Sequence, residues 1–199
     1  LNATFQNAGG KQFIGKLKPD LSGYEYTTMF GTNSDIPNIS PIAFLVDRCQ
    51  NVYVSGWGGS FNNNRGYPCA GTGGMEFLIT SDAIQSTTDK KDFFFFVLEK
   101  NATSQLFGTF FGQDGGFDDH VDGGTSRFDD NGVIYQAMCA NCGNSTTPGI
   151  FFPTTPGVWS PTNPSVNCNE AAVKIEMNFG GVGASVKATI NGVVDTVGC

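Results

Sequence analysis

The stretch from Phe94 to Gly112 stands in this chain more than once, and that repetition limits the possible folds more than any other feature. Sliding the chain by 81 positions without a gap lays Leu17 on Leu98, Asp20 on Asn101, Ser22 on Thr103, Thr28 on Thr109, Phe30 on Phe111 and Gly31 on Gly112. A shift of 77 the other way lays Ile175 on Leu98, Glu176 on Glu99 and Asn178 on Asn101. A self-similar period of roughly 80 residues, made of short apolar runs joined by Asn, Asp, Ser and Gly, predicts a modular all-β array. Gly (27) and Phe (18) are abundant and only 15% of residues are charged, which leaves little material for long amphipathic helices.

In chain order the expected hairpins are Phe13 to Leu17 with Tyr24 to Phe30, then Ile42 to Val46 with Val52 to Gly56 around the turn Asp47 to Asn51. The second hairpin recurs as 125–128 and 133–137, with Asp129 in place of Asp47 and Tyr135 in place of Tyr53. Asp and Asn-Gly turns supply the backbone geometry a hairpin needs, so these aspartates have a structural role to fill. Residues 57 to 78 read as a Gly/Asn-rich insertion outside the sheet, and 138 to 153 as its shorter counterpart. Ala171 to Phe179 supplies a third opening strand. Four consecutive Phe, 93 to 96, suit a central strand covered on both faces. The array is expected over 1–180, with 181–199 as a linker and one strand of a different module.

Net charge is −7 and no basic cluster exceeds Lys90-Lys91, which argues against nucleic acid as a partner. The longest apolar run, Phe93 to Leu98, is far too short for a membrane span. The chain is expected to be a piece of a longer or processed protein. Six Cys with a single His, His120, disfavour zinc, and Cys139 and Cys142 form a lone CxxC. Structural disulfides in an exported protein are the expectation. Fifteen pairings are open; the preferred bridges are Cys49 with Cys69 and Cys142 with Cys168, each bracketing one insertion, which leaves Cys139 and Cys199.

The candidate ligand sites are few. Asp114, Asp118, Asp119 and Asp122 offer oxygen ligands to Ca²⁺, set against turn-forming Asp, and the spacing is not that of an EF-hand. Trp57, Tyr67 and Trp159 stand in loop-like sequence and offer stacking faces for sugar rings, set against packing between sheets. His120 has neither a Gly-x-Ser-x-Gly elbow nor a phosphate loop to give it a catalytic partner. No catalytic residue is assigned, no cofactor is expected beyond a possible Ca²⁺, and the chain is expected not to be an enzyme.

Thr155-Pro156-Gly157-Val158-Trp159 followed by an apolar strand ending in Lys174-Ile175-Glu176, together with Leu106 to Gly112, Phe117-Asp118-Asp119 and Phe128 to Tyr135, resembles a known pattern. It is that of the bacterial β-propeller repeat of large exported surface proteins, especially the copies in gliding-motility-associated and adhesin-like proteins of Bacteroidetes-type bacteria. The resemblance covers about residues 1 to 180 and is better in the second copy than in the first. It departs in the usual Gly-Gly after the second strand, here Gly31-Thr32 and Gly112-Gln113, and in the extra Cys of both insertions.

The resemblance implies consecutive four-stranded antiparallel propeller-like blades, one supplied by each repeat unit, a partial propeller of two to two and a half, followed by the start of an immunoglobulin-like module of the polycystic-kidney-disease type. It also implies delivery to the cell surface, often by the type IX route, and no catalytic residues. Asp195-Thr196-Val197 matches the O-glycan acceptor triplet of such bacteria, with Thr196 as acceptor. The expected function is a structural and interaction module for adhesion or gliding motility, with a carbohydrate-binding module as the alternative. Expected partners are further blades of the same polypeptide, other proteins or surface glycans. With so few blades, residues 1 to 30 are expected to pack against something outside this sequence, and the piece alone is expected to associate.

Overall fold

The computed structural model describes residues 2–59, 69–115, 119–121, 126–129, 133–140, 152–161, 168–176, 188–190 and 193–195. The chain is all-β, and its paired strands are antiparallel. Strands β1 (Gln12–Leu17) and β2 (Tyr24–Phe30) make one hairpin sheet. Strands β3 (Ser40–Val46), β4 (Val52–Trp57), β5 (Phe93–Leu98) and β6 (Gln105–Phe111) make a four-stranded meander. Strands β7 (Ser126–Phe128), β8 (Ile134–Ala140) and β9 (Asn169–Ile175) make a third sheet. Among the described residues there is no α-helix, only two short 3-10 turns, and no helix is long and apolar enough to cross a membrane.

Side chains alternate between the two faces of a strand, and the run Phe93 to Leu98 uses that rule twice. Phe94, Phe96 and Leu98 join Val52, Val54 and Phe110 against Ile14, Tyr26 and Phe30 of the first sheet. Phe93, Phe95 and Val97 join Tyr53, Trp57 and Phe107 against Ile134, Met138 and Ile175 of the third. All six residues of β5 are fully buried. The meander is thus the middle layer of a three-sheet stack, as a doubly apolar strand demands. Burial of each such side chain is worth about 1.5–3 kcal/mol, so β5 contributes more to the fold than any other strand.

The sheets do not coincide with the sequence repeat. The meander takes β3–β4 from one copy and β5–β6 from the next, with β4 and β5 paired over their whole length from Val52↔Leu98 to Trp57↔Phe93. The expectation that each copy supplies one blade is corrected by this offset. The reason lies in the faces: β4 is buried on both sides, so its second edge needs a partner buried to the same degree, and β5 is that strand.

The insertion after β4 also differs from a loop lying outside the sheet. Its far end turns inward, burying Met75 and Leu78 in the first core, and the 3-10 turn Glu76–Leu78 lies along β6. Thr80 donates its N–H to Gly108 O at 3.0 Å, Gly108 donates its own to Thr80 Oγ1 at 3.1 Å, and Gln105 Nε2 donates to Leu78 O at 2.5 Å. Later in the chain, where a linker and one strand were expected over 181–199, strands β10 (Ala188–Ile190) and β11 (Val193–Asp195) pair antiparallel. Asn191-Gly192 stands between them, the dipeptide that most favours a two-residue hairpin connection.

Candidate functional site

The turn aspartates do the local work their spacing predicts. Asp47 Oδ1 accepts the Asn51 N–H at 2.8 Å, and Asp47 Oδ2 accepts from Asn51 Nδ2 at 2.9 Å and from the Tyr53 hydroxyl at 3.0 Å. Asp129 Oδ1 accepts the Val133 N–H at 3.1 Å, the same bond in the second copy. Burial, and then the bond to Asp47, hold the Tyr53 phenol well above its ordinary pKa. These carboxylates close hairpins and are committed to that task.

A more unusual group gathers at the other end of the meander, where β4 and β6 end and β5 begins. Gln113 donates its N–H to Asp119 Oδ2 at 2.8 Å, just as Thr32 donates to Asn38 Oδ1 at 2.7 Å in the first copy. In both, an Asx side chain six residues on reaches back to fasten the turn that leaves the second strand of a hairpin. Asn38 completes its set by donating Nδ2 to Gly71 O at 3.0 Å, while Gln12 binds the Asn38 and Ile39 amides at 3.1 Å each. The second copy has a carboxylate where the first has an amide. Asp92, also fully buried, approaches the same spot: a methyl group on Gly112 would overlap carboxylate oxygens of both Asp92 and Asp119.

Asp92 Oδ2 accepts from the Thr88 hydroxyl at 2.5 Å and from the Asp89 N–H at 3.2 Å, and Oδ1 has no hydrogen-bond donor among the described residues. Burial is the main reason its carboxyl is pushed up to about 6, helped by the nearby charges of Asp89 and Asp114. A carboxyl that holds its proton more tightly when folded favours the fold most below its unfolded pKa, and that contribution is lost as pH rises through about 6. Unfolding at a series of pH values should therefore show Asp92→Asn to be more stable than the parent near pH 7 by on the order of 2 kcal/mol, with the two converging near pH 4. Parallel curves from pH 4 to 7 would refute the assignment.

Two of the four sequence-predicted calcium ligands, Asp114 and Asp119, fall on described residues. Asp119 is buried and bonded to the Gln113 amide, Asp114 lies at the surface, and Asp118 and Asp122 lie outside the described residues. Among the described residues no group of three or more His, Cys, Asp or Glu is placed to hold a metal ion. His120 is buried, exchanges both backbone hydrogen bonds with Cys139, and its ring lies 5.7 Å from that of Trp57.

Of the three sugar-stacking candidates, Trp57 and Trp159 fall on described residues. Trp57 is not in the insertion: it is the last residue of β4, pairs with Phe93, and is 5% exposed, so its ring is core and offers no face to a glycan. Two glycines after it made it read as loop. Tyr67 lies outside the described residues. Trp159 is 100% exposed in the segment 152–161.

Cys49 and Cys168 are disulfide-bonded, whereas Cys69 is a buried thiol, so the Cys49–Cys69 bridge is corrected. Cys142, Cys199 and Thr196 lie outside the described residues. Sequence reasoning missed Asp92 and Gln113; the alignment of Gly31 with Gly112 was the available signal, since it also lays Asn38 on Asp119. No protein-family model, curated protein or solved structure matches the chain.

Proposed function

We propose that this chain is a non-catalytic structural and interaction module of a large exported bacterial surface protein, a partial β-propeller leading into an immunoglobulin-like module and serving adhesion or gliding motility. The observation that carries it is the stack itself: three antiparallel sheets face to face, the middle one apolar on both sides, fit a blade array whose length is set by repetition. The hydrogen-bonded turn side chains support the same view, because Asp47, Asp129, Asn38 and Asp119 each hold a turn of the scaffold. Disulfides at Cys49 and Cys168 suit an oxidising compartment.

The test is surface labelling of the native protein. Antibody raised to this chain should stain intact cells of the source bacterium, and staining should vanish when type IX export is disabled. Staining that appears only after lysis would overturn the proposal.

A second reading, carbohydrate binding, keeps one specific support in Trp159, whose ring is wholly exposed with Val158 beside it. A ring stacked on a sugar contributes enough that Trp159→Ala should reduce any glycan-array signal of the chain at least tenfold. A signal indifferent to that substitution would rule out this ring.

A further inference from the structure

The stack is unequal on its two sides, and the inequality has a definite shape. By the repeat, β1 and β2 correspond to β5 and β6, since Leu17 falls on Leu98 and Phe30 on Phe111. The first sheet therefore holds the counterparts of the third and fourth strands of the meander and lacks, among the described strands, counterparts of β3 and β4. In the meander, β5 is paired on both edges; among the described strands, β1 is paired only with β2.

The consequence is visible on β3. Facing the third sheet, Leu45 and Ile42 are half-buried against the core there, with β7 alongside and Phe128 5.8 Å from Tyr53. On the opposite face, Phe44 is 61% and Val46 48% exposed, although their partners across the ladder, Val54 and Val52, are buried. Between this bare face and the open edge of β1 runs an apolar trough of about 410 Å³, lined by Phe13, Ile14, Phe30, Pro41, Phe44 and Val54.

The structure itself shows what covers such a face, because β7 and β8 already cover the other side of β3 and β4. We propose that the trough seats a β-hairpin of the β3–β4 kind, supplied by a preceding copy of the repeat in the same polypeptide. Its second strand adds antiparallel to the open edge of β1, as β4 does to β5, and its first strand lies over Phe44 and Val46. Backbone pairing along the edge and burial of Phe44 are the two sources of affinity. The source of the hairpin rests on the propeller-repeat reading; the seat rests on geometry alone.

The experiment fuses a second copy of residues 38–59 ahead of the full chain through a Gly/Ser linker of about 20 residues, flexible enough to let the hairpin reach β1. The thermal midpoint should rise by roughly 5 °C, and amide exchange along β1 should slow at least tenfold. Phe44→Glu should cancel both gains in the fused chain while leaving the midpoint of the unfused chain within about 1 °C, since the side chain is exposed there. No gain on fusion, or a gain that survives Phe44→Glu, overturns the proposal. So does a dimer of the unfused chain that Phe44→Glu dissociates, which would place a second copy in the trough. Because these readouts are independent of surface labelling, a failed fusion with labelled intact cells rejects the hairpin seat and not the proposed function.

Discussion

Phe96→Ala should lower the stability of the chain by about 3–5 kcal/mol, the cost of emptying a fully buried aromatic site. Phe96 is in the middle of β5, has no exposed surface, and lies 5.7 Å from Phe30, 5.7 Å from Phe94 and 5.8 Å from Phe5 by ring centroids. Phe30 and Phe5 come from the first sheet and the segment leading into it, so the ring links two layers as well as filling one. The vacancy cannot close by local collapse, because its walls belong to different sheets. Phe13→Ala provides the contrast: the residue is as apolar but 68% exposed, and should cost no more than about 0.5 kcal/mol. Equal losses in chemical unfolding would mean that the middle layer is not where this structure places it.

Gly108→Ala should cost about 3 kcal/mol, near the upper end for an overpacked site, by a different route. A methyl group there would overlap the Leu78 carbonyl oxygen, a backbone atom held by the Gln105 side chain and by the hydrogen bonds between Thr80 and Gly108. Relief requires 76–80 to lift away from β6, which uncovers Met75 and Leu78. Limited proteolysis should then cut near Phe77, which is already exposed, faster than in the parent. Gly23→Ala, where nothing lies within 4 Å of the added atom, should leave both measures unchanged. Unaltered cleavage in Gly108→Ala would show that this segment is not pinned to β6.

Much of the layer structure is legible in the sequence because period and apolarity are local properties. The four hairpin strands of the first copy and the doubly buried Phe93 to Phe96 follow from alternation and from turn residues at Asp47 and Asp129. The pairing of β4 with β5 is not legible, since it joins strands on either side of the 58–92 connection and no local pattern specifies such a partner. Trp57 was hidden for a related reason: its burial depends on β5 and His120, while its chain neighbours Gly58 and Gly59 look like loop. The buried carboxyls were hidden because an Asp in a turn-rich run reads as turn; only the fold brings Asp92 and Asp119 together around Gly112. The bridge expected between Cys49 and Cys69 failed because bracketing an insertion in sequence says nothing about which thiols meet in space.

The offset between repeat and sheet bears on how such an array can change in length. Since each copy contributes half of one sheet and half of the next, the border between copies falls inside a hydrogen-bonded ladder, at the join of β4 and β5. Recombination between two copies of the gene segment would therefore splice a β3–β4 half onto a β5–β6 half of the same kind, at a junction whose register is already defined. Copies can be gained or lost in this way without stranding an unpaired half-sheet in the interior. Only the two ends of the array ever present incomplete sheets, so genetic drift in copy number is buffered everywhere except there.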